Sequence, residues 1–256
     1  MLALAAAPLL HAENVLIDTK FDQADESGRP IAIPKDNASI PLITPTAVMD
    51  PASAPENPTT LRVGKEKIEA ITPPYLLMHI GTRVTPADAA ANGGVSWDVS
   101  ASGISQGVCK VSFDAGARQV NKSGGRVLMT FKSAAGKSPN AHPNLTPMSF
   151  LFSSLGTISI GAAPKETPVT KYDADRLQHF EMTLDLDRSV WSLKIDDAEV
   201  IKEASLADYL KTGGDGPFII NQLSFTSEAG WGALPDATFI LKNVKAIQVT
   251  APTAKK

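Results

Sequence analysis

The sequence has 256 residues, of which 43% are hydrophobic, 20% charged and 6% aromatic, and its formal net charge is −3. This composition is that of an ordinary globular protein and excludes a disordered chain, a collagen and a coiled coil. The charge balance argues against a nucleic-acid partner and against an anionic membrane surface. With a single cysteine, the chain forms no internal disulfide and no cysteine-based metal site.

The N-terminus resembles a targeting segment. Its first ten residues, MLALAAAPLL, are apolar, and charged residues begin only at Glu13. A short apolar run followed by Leu10-His11-Ala12 resembles the hydrophobic region and cleavage site of a secretory signal peptide. The run is shorter than the ~20 residues that cross a bilayer, and no later apolar stretch is long enough to cross one either. We therefore predict a signal peptide over residues 1–12 and an exported protein, periplasmic or extracellular. A buried N-terminal helix or strand is the alternative.

Beyond Glu13, apolar and polar residues mostly alternate with a period of two, which is typical of β-strands. The first strand is predicted around Val15–Ile17, continuing to Phe21. Residues 29–60 contain seven prolines, which exclude a helix there and favour extended edge segments. Further strands are predicted, in chain order, at residues 60–63, 75–84, 94–100, 107–113, 126–131, 150–152 and 157–160.

The clearest pattern predicts a β-hairpin. In residues 180–187 four apolar residues alternate with four polar ones, which gives one buried and one exposed strand face. Asp187-Arg188-Ser189 is predicted as the turn. A second alternating strand follows at residues 191–195, and Asp196-Asp197 is predicted to end it as a turn.

The rest of the chain completes one all-β domain. A short helix is predicted over Ser205–Leu210 with Ser205 as its N-cap, and Gly213-Gly214 ends it. Two last strands are predicted at residues 218–226 and 238–249. No repeat and no composition shift marks a boundary, so we predict a single β-sandwich domain over residues 13–250 and a flexible tail over 251–256.

Three segments of the C-terminal third resemble a concanavalin A-like (laminin-G-like) jelly-roll domain. Gln178–Asp187 resembles the strand pattern W-H-x-h-x-h-x-h-D, Trp191–Asp197 resembles the returning strand, and Phe239–Val249 resembles the closing strand h-I-D-N-V-x-V. The sequence departs from these patterns at Gln178, Ala198 and Lys242. The resemblance implies a two-sheet antiparallel jelly-roll sandwich whose opening strand, Ile17–Phe21, pairs with its last strand. The same fold serves lectins, glycosidases, lyases and adhesion modules, so it implies no single function.

A row of acidic residues is the strongest indication of an enzyme. Glu181, Asp185 and Asp187 lie on one face of the predicted strand, and glucanases of this fold carry their carboxylates along one strand. At about 3.3 Å per residue, Glu181 and Asp185 are roughly 13 Å apart and Asp185 and Asp187 roughly 6.7 Å. Retaining hydrolysis needs about 5.5 Å and inverting hydrolysis about 6.5–9.5 Å. The alternative is a solvated strand face without catalytic function.

An aromatic loop residue is the strongest indication of a binding site. Trp231 lies between glycines, and an exposed indole offers a flat apolar face for stacking on a sugar ring. Tyr172 and Asp173 are predicted as neighbours in the same site. The alternative is a Trp231 side chain folded back over the end of the sandwich. Trp97 and Trp191 alternate with apolar residues, and both are predicted in the core.

Metal and nucleophile signals are weak. Asp22, Asp25 and Glu26 lie in one turn and offer oxygen ligands for Ca²⁺, without the spacing of an EF-hand. The four histidines are scattered, which argues against zinc. Cys109 lies on the apolar face of a predicted strand, and we predict a buried free thiol.

These observations favour an exported, non-catalytic β-sandwich that binds carbohydrate or another extracellular polymer through Trp231, Tyr172 and Asp173. No cofactor is required, although Ca²⁺ is compatible. A second interpretation is a glycoside hydrolase or polysaccharide lyase that uses Glu181, Asp185 and Asp187, so whether the protein is an enzyme stays open. A third is a structural or adhesion module that binds protein. The sequence does not decide the oligomeric state.

Overall fold

The computed structural model describes residues 12–21, 47–48, 76–80, 94–99, 103–119, 126–132, 148–153, 155–161, 166–173, 176–206, 219–228 and 237–250. Fourteen β-strands lie in this part of the chain, and it contains no helix. The strands are β1 Ala12–Thr19, β2 Ala47–Val48, β3 Leu76–Ile80, β4 Gly94–Asp98, β5 Val108–Gln119, β6 Arg126–Lys132, β7 Met148–Ser153, β8 Thr157–Ile160, β9 Thr167–Lys171, β10 Gln178–Asp185, β11 Val190–Ile195, β12 Ala198–Ser205, β13 Gln222–Glu228 and β14 Ala237–Thr250.

The strands form two antiparallel sheets. The larger sheet has eight strands in the order β12-β11-β10-β5-β14-β3-β2, with β1 also paired to β14. The smaller sheet has six strands in the order β4-β13-β6-β7-β8-β9. Their packed faces make a two-layer β-sandwich, as the alternation of apolar and polar residues predicts.

Aromatic rings from both sheets fill the space between them. Phe113 of β5 stacks on Phe180 of β10, with ring centroids 5.2 Å apart. The same ring meets Phe225 of β13 edge-on at 5.1 Å and Phe152 of β7 at 5.9 Å, so Phe113 joins the two sheets. The predictions that Trp97, Trp191 and Cys109 are buried are confirmed.

The predicted hairpin is present. Residues of β10 alternate between buried and half-buried along the whole strand, and Phe180 to Asp185 pair with Ile195 to Val190 of β11. The turn between the strands spans residues 186–189. Asp196 and Asp197 form the next turn, and both have positive φ, 48° and 68°, as the central residues of a type I′ hairpin turn do.

The opening and closing strands pair as the resemblance implies. β1 runs antiparallel to β14, with Ala12 opposite Thr250 and Thr19 opposite Val244. On its other side, β14 pairs with β5, and the register shifts between Lys242 and Lys245. Asn243 lies in this irregularity with φ of 50°. An asparagine tolerates this left-handed conformation better than most residues do.

Two edge strands differ from the sequence prediction. Ser205, the predicted N-cap, is the last residue of β12 and pairs with Val190 of β11. The rest of the predicted helix, residues 207–210, lies outside the described residues. β9 and β12 were not predicted, because both are polar edge strands with little apolar alternation. Within the proline-rich stretch, Ala47–Val48 forms the predicted kind of extended edge segment.

Several predictions fall on residues that the structure does not describe. They are the signal peptide apart from Ala12, the strand at 60–63 and the tail over 251–256. These stay predictions. The described residues include no helix of the length and apolarity needed to cross a bilayer.

Candidate functional site

The predicted acidic row lies on the outer face of the larger sheet. Glu181 and Asp185 alternate with the buried residues of β10, and Asp187 follows in the turn. Glu181 lies opposite Lys194 of β11, with Oε2 3.7 Å from Nζ. Glu181 and Asp185 therefore share the outer face of β10, whereas Asp187 lies beyond the strand, and each of the three carboxylates has a different environment.

Two of these carboxylates hold turns in place. Asp187 Oδ1 accepts a hydrogen bond from the backbone N–H of Gly107 at 2.9 Å. Asp185 Oδ1 accepts one from the backbone N–H of Arg188 at 2.9 Å, within the hairpin turn. Such bonds satisfy backbone donors at chain reversals, which is a structural function of aspartate.

Tyr172 is packed inside the sandwich. Its ring lies 6.0 Å from both Phe152 and Phe180, and its hydroxyl donates to the carbonyl of Ser153 at 2.6 Å. Asp173 is exposed next to it, and its backbone N–H donates to Gln178 Oε1 at 2.6 Å. This burial favours a packing function for the Tyr172 ring, while Asp173 stays accessible. Their participation in a glycan site stays a prediction.

The other predicted ligand residues lie outside the described part of the chain. They are Trp231 and the calcium candidates Asp22, Asp25 and Glu26. β13, the strand that precedes Trp231, ends at Glu228. Glu228 pairs with Arg126 of β6, and Arg126 pairs with Ser153 of β7. Because Ser153 accepts the Tyr172 hydroxyl, this register brings the strand end that precedes Trp231 to the same end of the sandwich as Tyr172. Among the described residues, no group of three or more histidine, cysteine, aspartate or glutamate side chains is arranged to hold a metal ion.

A polar cluster centred on His179 lies on the outer face of the larger sheet. It consists of Asp114, His179, Glu181, Lys194 and Asn243, and we call it the His179 cluster. His179 Nδ1 lies 2.6 Å from Asp114 Oδ1, and Asn243 Nδ2 donates to Asp114 Oδ2 at 2.5 Å. On the opposite side of the ring, His179 Nε2 lies 3.6 Å from Glu181 Oε1. Four strands therefore contribute to one constellation: β5, β10, β11 and β14.

The two carboxylates of the His179 cluster, Asp114 and Glu181, raise the pKa of the histidine. Partial burial lowers the pKa of His179, but the hydrogen bond and charge of Asp114 and the charge of Glu181 outweigh this effect and raise it. Because an ionised carboxylate only accepts, Nδ1 carries a hydrogen and Nε2 points towards Glu181. The raised pKa favours the form of His179 in which both ring nitrogens donate.

The loop before β10 is tied to the Asp196-Asp197 turn. Asp196 Oδ2 accepts hydrogen bonds from Gln178 Nε2 at 2.9 Å and from Arg176, and Oδ1 accepts the backbone N–H of His179 at 2.9 Å. Partial burial alone raises the pKa of Asp196, but the Gln178 and His179 bonds and the Arg176 charge lower it overall. These contacts hold His179 at the start of its strand.

The His179 cluster was not predicted from the sequence, because the four histidines are scattered along the chain. His179 and Glu181 are two residues apart, so they share a strand face, and this spacing was a usable signal. The contact between Asp114 and His179 spans 65 residues, and that between Asn243 and Asp114 spans 129. Only the strand order and register bring them together.

Comparison by sequence finds no matching family model and no matching curated protein. Comparison by structure finds similar sandwiches. The binding domain of botulinum neurotoxin serotype D aligns with a TM-score of 0.55 at 6% identity, over 93% of this chain and 49% of that one. A structure of botulinum neurotoxin type C, described as depending on two ganglioside molecules to enter cells, aligns with 0.53 at 10% identity, over 93% and 48%. The chain therefore spans about half the length of these neurotoxin chains.

A third similar structure is matched along its whole length. It comes from a description of endo-acting O-glycanases that prominent members of the human gut microbiota express to initiate mucin breakdown. The TM-score is 0.52 at 12% identity, over 93% of this chain and 100% of that one. At these identities the likeness establishes the fold alone, a two-sheet antiparallel β-sandwich of the jelly-roll kind.

Proposed function

We propose that this protein is an exported, non-catalytic β-sandwich that binds carbohydrate or another extracellular polymer. The main support is the fold likeness over 93% of the chain to structures described in terms of gangliosides and of mucin O-glycans. Because one fold serves many functions, the ligand has to be established by binding measurements.

The outer face of the larger sheet supports an uncharged ligand. Its register aligns one residue from each of five neighbouring strands: Lys245, Ser112, Glu181, Lys194 and Glu199. Positive and negative side chains alternate along this row, so no large field of one sign develops. A polymer rich in hydroxyl groups suits such a face, since each hydroxyl both donates and accepts hydrogen bonds.

The direct test is a glycan-array screen of residues 13–256, with and without Ca²⁺. Specific binding supports the proposal, and loss of binding on removal of Ca²⁺ implicates the acidic turn at Asp22, Asp25 and Glu26. No binding to any glycan removes the carbohydrate proposal and favours the adhesion or structural interpretation, with a protein partner.

The predicted stacking residue has its own test. We expect Trp231→Ala to weaken glycan affinity while the unfolding curve stays that of the natural chain. Trp191→Phe is the matched control, because this indole is buried in the core and changes stability without touching a ligand. Unaltered affinity in Trp231→Ala excludes Trp231 from the site.

Export is tested separately. We expect the full chain to be exported from the cytoplasm, and a variant without residues 1–12 to stay inside the cell. Equal distribution of the two chains in cell fractionation contradicts the signal peptide.

A glycoside hydrolase or lyase is the second candidate, favoured by the O-glycanase match over that whole chain and by the acidic row. The hydrogen bonds of Asp185 and Asp187 to turn backbones favour binding over hydrolysis. Incubation with mucin O-glycans and polysaccharides decides between the two. Turnover that is lost in Glu181→Gln and in Asp185→Asn, with the fold intact, establishes the enzyme.

A further inference from the structure

The His179 cluster consists of a hydrogen-bonded half and an open half. In the first half, Asp114 receives short hydrogen bonds from both His179 and Asn243, at 2.6 and 2.5 Å. In the open half, Glu181 lies 3.6 Å from His179 Nε2 and 3.7 Å from Lys194 Nζ. Both of these distances are longer than the usual ~2.7–3.2 Å of an N–H···O hydrogen bond.

The first half fixes the direction of the histidine ring. Asp114 and His179 are directly opposite each other in the β5–β10 register. Asn243 reaches the second oxygen of Asp114 from the irregularity in β14, where its positive φ turns it out of the regular ladder. Such irregularities in a sheet redirect side chains and are common beside functional sites. The arrangement leaves His179 Nε2 aimed across the sheet surface.

The open half presents three accessible polar groups, with His179 two residues along β10 from Glu181 and Lys194 across from Glu181 on β11. The side chains of His179, Glu181 and Lys194 are 40%, 45% and 49% exposed. The Glu181 carboxylate accepts no direct hydrogen bond from the described residues, so its lone pairs are available. When His179 is protonated, the three groups are a donor, an acceptor and a donor, with Glu181 as the acceptor between them.

We propose that His179, Glu181 and Lys194 bind a vicinal diol of a saccharide. Two neighbouring hydroxyls donate to the two oxygens of Glu181, and their own oxygens accept from His179 Nε2–H and Lys194 Nζ–H. This inference rests on the proposed carbohydrate function and assigns a site to it. Asp114 and Asn243 are positioning residues, because they orient the ring without reaching the ligand.

Charge selects an uncharged diol over an ion. An anion approaching Lys194 meets the carboxylate of Glu181, and a cation approaching Glu181 meets the ammonium group of Lys194. A pair of hydroxyls interacts favourably with both signs, because each hydroxyl is a donor and an acceptor. The wider row across the sheet adds Lys245 and Glu199 on either side, which keeps the local charge balanced.

The test is an NMR titration of the natural chain with the methyl glycosides of mannose, galactose and glucose, which present vicinal diols in different orientations. We expect at least one glycoside to shift the His179 ring resonances saturably. Glu181→Gln weakens this response by about tenfold or more, since hydrogen bonds to a charged group are worth roughly 1.5–3 kcal/mol. Glu203→Gln is the matched control, because this side chain lies on the same sheet, is 48% exposed and contacts Arg188 rather than the cluster.

The outcomes separate the site from the function. A saturable His179 shift that Glu181→Gln abolishes and Glu203→Gln keeps supports the site. Glycan-array binding without any His179 response, or with an equal response in Glu181→Gln, overturns the site and leaves the proposed function standing. Absence of both array binding and a His179 response overturns both.

Discussion

Asp114 and His179 lie directly opposite each other in the β5–β10 register, with Oδ1 and Nδ1 2.6 Å apart. A charged pair on the outer face of a sheet couples protonation to folding. The pKa of His179 is raised in the folded chain above the ordinary value of about 6.5. The His179 interaction therefore stabilises the fold fully below about pH 6.5 and is lost as the pH rises through the folded pKa.

We predict that the free energy of unfolding of the natural chain falls from pH 5.5 to pH 8.5 relative to that of His179→Gln. Urea denaturation of both chains at each pH measures this difference. Asp114→Asn is the control, because it removes the carboxylate that raises the pKa and should flatten the pH dependence. The same slope in the natural chain and in both variants contradicts the coupling.

The two aspartates of the β11–β12 turn should respond oppositely to glycine. Both have positive φ, but Asp197 has no side-chain hydrogen bond with the described residues, whereas Asp196 accepts several. Asp197→Gly should stabilise the protein by about 0.5–1 kcal/mol, because glycine adopts the left-handed conformation without strain. Asp196→Gly should destabilise it by about 1–3 kcal/mol, since Gln178 and the His179 backbone lose their acceptor. Chemical denaturation of the two variants measures both changes in the free energy of unfolding. Equal effects of Asp196→Gly and Asp197→Gly would falsify the different functions given to the two side chains.

Phe113 should be among the most sensitive core positions. Its ring contacts aromatic rings of both sheets and is fully buried. Phe113→Ala should lower the free energy of unfolding by about 3–5 kcal/mol, because it removes apolar contacts and leaves a cavity. Leu155→Ala is the control with an expected change near zero, since this side chain is 60% exposed. The urea midpoint at constant slope is the measurement.

Cys109 should be unreactive in the native protein. Complete burial raises the pKa of its thiol to about 12, so almost no thiolate exists at neutral pH. We expect a thiol reagent to label the chain only in denaturant, at one site per molecule. Rapid labelling without denaturant contradicts the described burial, and Cys109→Ala shows whether any labelling arises elsewhere.

The fold class and the faces of the strongest strands could be read from the sequence. The hairpin of β10 and β11, its turn and the burial of Trp191 are confirmed, because side chains alternate along any strand and a mixed pattern therefore marks its buried face. The resemblance also implied correctly that β1 pairs with β14. The edge strands β9 and β12 escaped this reasoning, because a polar edge strand shows little apolar alternation.

The sequence likewise predicted only part of the candidate site. The sequence identified Glu181 as a polar residue on an exposed strand face, which is a local property of the chain. Which partners it meets was decided by tertiary structure alone. His179 faces Asp114 because β10 pairs with β5, and Asn243 reaches the same carboxylate because β14 shifts its register beside it. Alternation is set by neighbouring peptide units, whereas strand order and register are set by packing of the whole core, and a shift of one residue would place every one of these side chains on the other face.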